Sequence, residues 1–262
     1  MASAKMDLRL VAILSAGGLF VGMVVLLELG RRLGCRRLKE DEEGARAGLG
    51  TVEGAVFALM GLLIAFTFSG AATRFDARRQ MIVDEANAIG TAWLRLDLLP
   101  PAAQPELRNL LRRYLDGRLA VYEKFRDLEA ARAELNQVNA LQAQIWTRAV
   151  AACQESPNPL QAQLVPALNE MFDLAASRIA ATRIHQPVVI FVMLGLLALM
   201  SALLAGYAMA GGKSRSWIHM LGFALVLAAT VYVILDLELP RLGFIRVDAL
   251  DQVLREVRES MK

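Results

Sequence analysis

Two cysteines and two histidines in a chain of 262 residues leave little for a metal site or a disulfide framework. Cys35 and Cys153 fall in different segments. A zinc site takes about four ligands, and nothing of that kind clusters with His185 or His219, which lie near the ends of apolar runs as interfacial or packing residues do. No metal or other cofactor is expected. Charge of one sign is also scarce. A net charge of +3 gives no electrostatic footprint for nucleic acid. Alternating β-branched runs are absent from the middle of the chain and turn dipeptides are rare there, so no sheet is expected. A Ser–His–Asp arrangement, a phosphate-binding glycine loop and a His/Cys metal cluster are all absent, so no enzyme is expected. Asp84 and Glu85 are adjacent, which on a helix sets them about 100° apart, a poor layout for paired acid–base work.

What the chain has is apolar surface. It is 56% hydrophobic, against about 45–50% in globular proteins. Its charged residues are segregated, with long uncharged stretches alternating with segments dense in Arg, Asp and Glu. Four stretches reach the roughly 20 apolar residues a bilayer core needs: Leu10 to Leu29, Gly54 to Ala72, Pro187 to Ala210 and Trp217 to Leu237. Pro187 and Pro240 stand at a helix start and just past a helix end, where proline is tolerated. Trp217 and Tyr207 lie near span ends, as interfacial aromatics do. The first stretch follows Lys5 and Arg9 but is too long for a signal-peptide core and has no small-x-small cleavage site. The charge at Arg32 argues against a lipoprotein cleavage site before Cys35. It is expected to remain as an anchor.

The expected fold class is therefore all-α: an integral membrane protein with four transmembrane helices and a helical soluble domain inserted between the second and third. The expected divisions are residues 8–72 (first two spans and a short loop), 73–186 (soluble helices), 187–239 (last two spans) and 240–262 (soluble tail). In the soluble part Leu107, Leu111, Tyr114, Leu115, Tyr122, Phe125 and Leu128 form one helical stripe, continued by Leu135, Val138, Leu141, Ile145 and Trp146. Leu160, Leu164, Leu168, Phe172, Ala175 and Ile179 form a second. Pro100, Pro101 and Pro105 mark one break, Pro157 and Pro159 another, and Pro166 a kink. No proline interrupts Val52 to Leu99. The second span is thus expected to leave the membrane as one helix, roughly 70 Å long at about 1.5 Å per residue. The last soluble helix is likewise expected to run close to Pro187 and feed into the third span.

Orientation stays open on charge alone. Eight basic residues (Arg31, Arg32, Arg36, Arg37, Lys39, Arg46, Lys213 and Arg215) lie on the side of the two short loops, and eleven flank the spans more thinly on the other side (Lys5, Arg9, Arg74, Arg78, Arg79, Arg178, Arg183, Arg241, Arg246, Arg255 and Arg258). Glu28 and Asp236, near span ends, are expected to pair with Arg31 or Arg241; a Glu28–Asp236 proton relay is the sharper alternative.

The densest motif is Ala65–Ala92, AFTFSGAATRFDARRQMIVDEANAIGTA. Arg74 and Arg78 are one turn apart, followed by Asp84, Glu85 and Asn87. Ala86, Ala88, Gly90 and Ala92 keep the helix thin, which favours close approach of another backbone. The alternative is a solvated face with i,i+4 ion pairs. With Gly54–Ala72, the run RFDARRQMIVDEANAIGTAWLRLDLLP (Arg74–Pro100) and DLELPRLGFIRV (Asp236–Val247) resemble the bacterial branch of the bestrophin-like membrane proteins. Similarity to the bestrophin channels themselves is more distant. It lies in the four-span order, the long second helix with its aromatic–Arg exit at Arg74 and Phe75, and the Pro–Gly acidic turn after the fourth span.

The resemblance implies an oligomeric ion channel of the bacterial inner membrane, a ring of five subunits in the bilayer passing inorganic ions. It also implies cytoplasmic helices and termini, and a second span lining the pore through a hydrophobic neck. Carried over, the neck falls on Ala58, Leu62 and Phe66, with Arg74, Arg78, Arg79, Asp84, Glu85 and Asn87 as pore-mouth or junction residues. Ala58 is smaller than the neck pattern prefers. The acidic calcium cluster of animal bestrophins is not matched, since only Asp236, Glu238, Asp248 and Asp251 follow the fourth span, and calcium gating is not expected. The alternative function is a non-conducting scaffold or stress sensor whose helical domain binds a protein partner.

Overall fold

The structure, a computed structural model, describes residues 8–40, 49–125, 127–155, 159–212 and 215–262. Lys5, Arg46, Pro157 and Lys213 of the charge and proline readings, and the side chain of Leu128, lie outside the described residues. All regular structure among the described residues is helical. In chain order the α-helices are α1 (Leu8–Glu40), α2 (Leu49–Arg95), α3 (Gln104–Glu123), α4 (Leu128–Glu155), α5 (Leu164–Ala181), α6 (Val188–Ala208), α7 (Trp217–Leu237) and α8 (Asp251–Ser260). Four of them, α1, α2, α6 and α7, are long and apolar enough to cross a membrane.

The chain divides into two compact units. The first holds residues up to Phe75 and His185–Ile245; the second holds Asp76–Ile184 and Arg246–Lys262. α2 is one unbroken helix, as the lack of proline required, with residues 49–75 in the first unit and 76–95 in the second.

In the first unit, α1, α2, α6 and α7 meet around Met23, Leu27, Met60, Ala198, Ala202, Met220 and Ala224. Helices in lipid gain no hydrophobic drive from meeting, so close packing through small residues must hold them. α1 carries Gly30 and Gly34 one turn apart, and the row of small residues on α6 runs Ala198, Ala202, Gly206, with Ala210 just past its end. The backbones touch there. A Cβ on Gly30 would stand 2.0 Å from the Leu203 carbonyl oxygen, and one on Gly206 would stand 2.0 Å from that of Leu27. α1 also outruns its expected end: Arg31, Arg32, Arg36, Arg37 and Lys39 are on the helix rather than in a loop, because Leu, Arg, Lys and Glu are good helix formers.

The second unit packs residues 76–95 of α2 with α3, α4, α5 and α8. Its buried side chains include Ile82 and Ile89, Leu107, Leu111, Tyr114 and Leu115, Val138 and Ile145, Leu164, Leu168 and Met171, and Leu254. Most of the expected stripe residues are buried; Phe125, Leu135, Phe172 and Ile179 are half-buried, and Trp146 and Leu160 are 39% and 53% exposed. Pro166 lies in the first turn of α5, where a missing N–H costs nothing, so it is no kink. α5 does not feed into α6. It ends at Ala181, and residues 182–187 are non-helical, because Pro187 holds the residue before it out of the helical region.

Candidate functional site

α2 has two faces in the first unit. Met60, Thr67, Ala71 and Phe75 are buried, and Phe57 meets the Phe223 ring of α7 edge-on, centroids 6.2 Å apart. The Thr67 hydroxyl donates to the carbonyl oxygens of Leu63 at 2.8 Å and Ile64 at 3.0 Å, so its polarity is spent on its own helix. On the other face Ala58 is exposed, and Leu62 and Phe66 are 52% and 67% exposed. Their spacing of four puts the three on one stripe.

Where α2 leaves the apolar stretch, Arg74 donates from Nε to Glu238 Oε1 at 2.8 Å and from Nη2 to Gln186 Oε1 at 3.1 Å. His185 Nδ1 lies 3.5 Å from the other Glu238 oxygen. Arg78 is buried and donates to the carbonyls of Ala181 and Ile184, at 3.3 and 2.6 Å. A helix leaves its last carbonyls unpaired, and Arg78 takes up this duty at the end of α5. Arg79 is exposed and pairs with Asp76 at 3.2 Å. Asn87 is exposed, and the half-buried Asp84 accepts from Gln80 at 2.9 Å.

Glu85 has no exposure at all. Its Oε1 accepts from Arg118 Nε of α3 and its Oε2 from Arg178 Nη1 of α5, both at 2.5 Å. Arg178 also donates to Asp251 of α8 at 2.9 Å and stacks over the Tyr122 ring at 3.8 Å. Arg118 Nη2 reaches the Tyr122 hydroxyl at 2.7 Å. Two carboxylates thus neutralise two buried guanidinium groups. Burial pushes the Glu85 carboxyl up, but Arg118 and Arg178 outweigh it and hold it below its ordinary value. Burial raises the nearby Tyr114 phenol. The sequence reading missed Arg118 and Arg178, although both carry a signal: each is a charged residue on an otherwise buried helical stripe, after Leu111, Tyr114 and Leu115 or after Met171 and Ala175. Ala86, Ala88 and Ala92 are buried beside Glu85, but around Gly90 a Cβ would meet nothing within 4 Å, so close approach does not explain that glycine.

The acids near the span ends do different work from that expected. Glu28 pairs with Arg32 and Arg215, each at 2.8 Å, rather than with Arg31. That places it at the start of α7, whereas Asp236 stands at its end, about 30 Å away along 21 residues. A Glu28–Asp236 relay is therefore ruled out. Asp236 instead accepts the backbone N–H of Phe244 at 2.9 Å and of Ile245 at 2.8 Å, and the Tyr232 hydroxyl at 3.0 Å. Gly243 is required at this turn, since a Cβ there would lie 2.5 Å from Asp236 Oδ1. Asp236→Ala would strand two backbone donors and is expected to cost about 1–3 kcal/mol. Asp236→Asn, which keeps one acceptor oxygen, should lose about half as much. Melting temperatures of the detergent-purified proteins check this ranking.

The helix order, the four membrane-capable helices and the turn after α7 define an all-α membrane protein of the bestrophin class. The sequence matches the bestrophin-like domain over residues 12–250, and the chain belongs to that family. Its fold resembles crystal structures of three single-substitution variants of a bacterial bestrophin homolog from Klebsiella pneumoniae. The first is 12% identical, covers 92% of this chain and 95% of that one, and has a TM-score of 0.70. The second is 14% identical, covers 92% and 98%, and scores 0.64. The third, with the same identity and coverage as the second, scores 0.58. No curated protein sequence matches the chain.

Proposed function

We propose that the chain is a subunit of an ion channel in the bacterial inner membrane. Subunits assemble as a ring of five, with the second unit and both termini in the cytoplasm and α2 facing the axis. The observation that carries this reading is the split of α2 into a packed face and an exposed apolar stripe at Ala58, Leu62 and Phe66. No ionisable side chain interrupts that stripe. A ring of such side chains gates ions by dewetting, so a hydrophobic neck rather than a charged ring controls flow. Arg74 and Arg78 are held by Glu238 and by the carbonyls of Ala181 and Ile184, and the exposed Arg79 pairs with Asp76. The basic end of α1 then faces outward.

Phe66→Ala is expected to widen and wet the neck, raising the current through reconstituted planar bilayers about tenfold or more. Ile64→Ala, on the packed side, should leave it unchanged. With Cys35 and Cys153 replaced by serine, a cysteine at position 62 should react with a water-soluble thiol reagent. Protein that never conducts under varied salt and voltage, or a Leu62→Cys variant labelled only by a lipid-soluble reagent, would overturn the reading.

A further inference from the structure

Within the second unit, α3, α4 and α5 enclose an open cavity of about 300 Å³. This is near the lower end for small-molecule sites. Its wall includes the fully buried Arg118 and the exposed Arg183, the amides of Asn139 and Gln142, and the alkyl side chains of Leu135 and Ile179. Among the described residues no carboxylate lines it. The groove between α3 and α4 differs. It is lined by one base, Arg113, and two acids, Asp116 and Glu134, and so disfavours an anion.

Arg118 is fully buried and spends Nε on Glu85 and Nη2 on Tyr122, so it lends the wall positive charge, whereas Arg183 lines it from an exposed position. Glu85 and Asp251 already balance Arg118 and Arg178, so Arg183 is a cation in excess. Its side chain makes no ion pair or hydrogen bond with the described residues. Gln142 donates to the Tyr114 hydroxyl at 3.4 Å, which leaves its second amide N–H for a ligand acceptor. Guanidinium groups recognise planar carboxylates through charge-assisted hydrogen bonds, and the leucine and isoleucine would cover a short carbon chain.

We propose that this cavity binds a small organic carboxylate with a short apolar body. The inference does not depend on ion conduction. Isothermal titration of the full chain in detergent with succinate and with butyrate, at fixed ionic strength, tests it. Chloride and inorganic phosphate serve as comparison anions. At least one of the two carboxylates should saturate at one per chain, and inorganic phosphate or chloride should not compete at equal concentration. Arg183→Gln should weaken binding about tenfold. Ala176→Leu, which fills the wall from an exposed position, should abolish it. Both variants should keep the parent melting temperature, because neither touches the buried ion pairs. The proposal is overturned by any of three results: no saturation with either carboxylate to about 10 mM, equal displacement by phosphate or chloride, or an affinity that either variant leaves unchanged.

Discussion

Gly206→Leu is expected to prevent the first unit from assembling, with almost no monodisperse protein recovered from detergent extracts. At this point the α1 and α6 backbones touch, and the atom a Cβ would strike is the Leu27 carbonyl oxygen, 2.0 Å away. A carbonyl inside a helix cannot swing aside as a flexible side chain would, so the helices must part. Parting them opens the packing around Met23, Leu27, Ala198 and Ala202, all buried. Overpacking alone costs about 1–3 kcal/mol, and lost dispersion along the whole crossing adds to it, because lipid supplies no hydrophobic compensation. Gly206→Ala should already lower the melting temperature. Gly195→Leu is the control: it lies on the same helix, but a Cβ there meets nothing within 4 Å, and it should behave as the parent does. Equal yields of Gly206→Leu and Gly195→Leu would show that the crossing does not hold the unit together.

Periodicity made much of this architecture readable, and its failures have physical causes. Apolar runs located the four membrane-capable helices, and the absence of proline foretold the continuity of α2. The choice of Ala58, Leu62 and Phe66 comes from the resemblance to the bestrophins, and their spacing of four puts them on one face. Which side of α2 is packed does not follow from spacing, because a span is apolar all round and only its neighbours choose a face. In the second unit the period carried more than was taken from it. Arg78, Ile82, Glu85 and Ile89 recur at helical spacing and all are buried, so Glu85, rather than the adjacent Asp84, sits on the core line. The expectation that α5 feeds into α6 gave too little weight to Pro187. The Glu28–Arg215 pair joins residues 187 positions apart, and no local pattern announces such a contact. The glycines of the α1–α6 crossing were visible as small residues four apart on both helices, a signal that hydropathy passes over.

Glu85→Ala is expected to destabilise the second unit by about 3–5 kcal/mol, because it leaves buried guanidinium groups without their carboxylate. Arg118 would face only Tyr122, and Arg178 would keep Asp251. Removing both members of the Glu85–Arg118 pair should be milder. Glu85→Leu with Arg118→Met leaves Arg178 and Asp251 as a neutral pair among apolar neighbours, and such replacements are often neutral. The double variant should therefore recover most of what either single change loses, a coupling that a double-mutant cycle reads directly. Acid supplies a second axis. Since the folded carboxyl titrates below its ordinary 4.5, its contribution is complete above that value and is lost as pH falls through the lowered one. The parent should thus resist acid to below pH 4.5 and then lose stability, whereas Glu85→Gln should begin less stable and lack that acid-dependent step. Thermal unfolding of parent, single and double variants between about pH 3 and 7 separates the cases. If the double variant proves as unstable as Glu85→Ala, then packing around residue 85, not the buried charge, governs the unit.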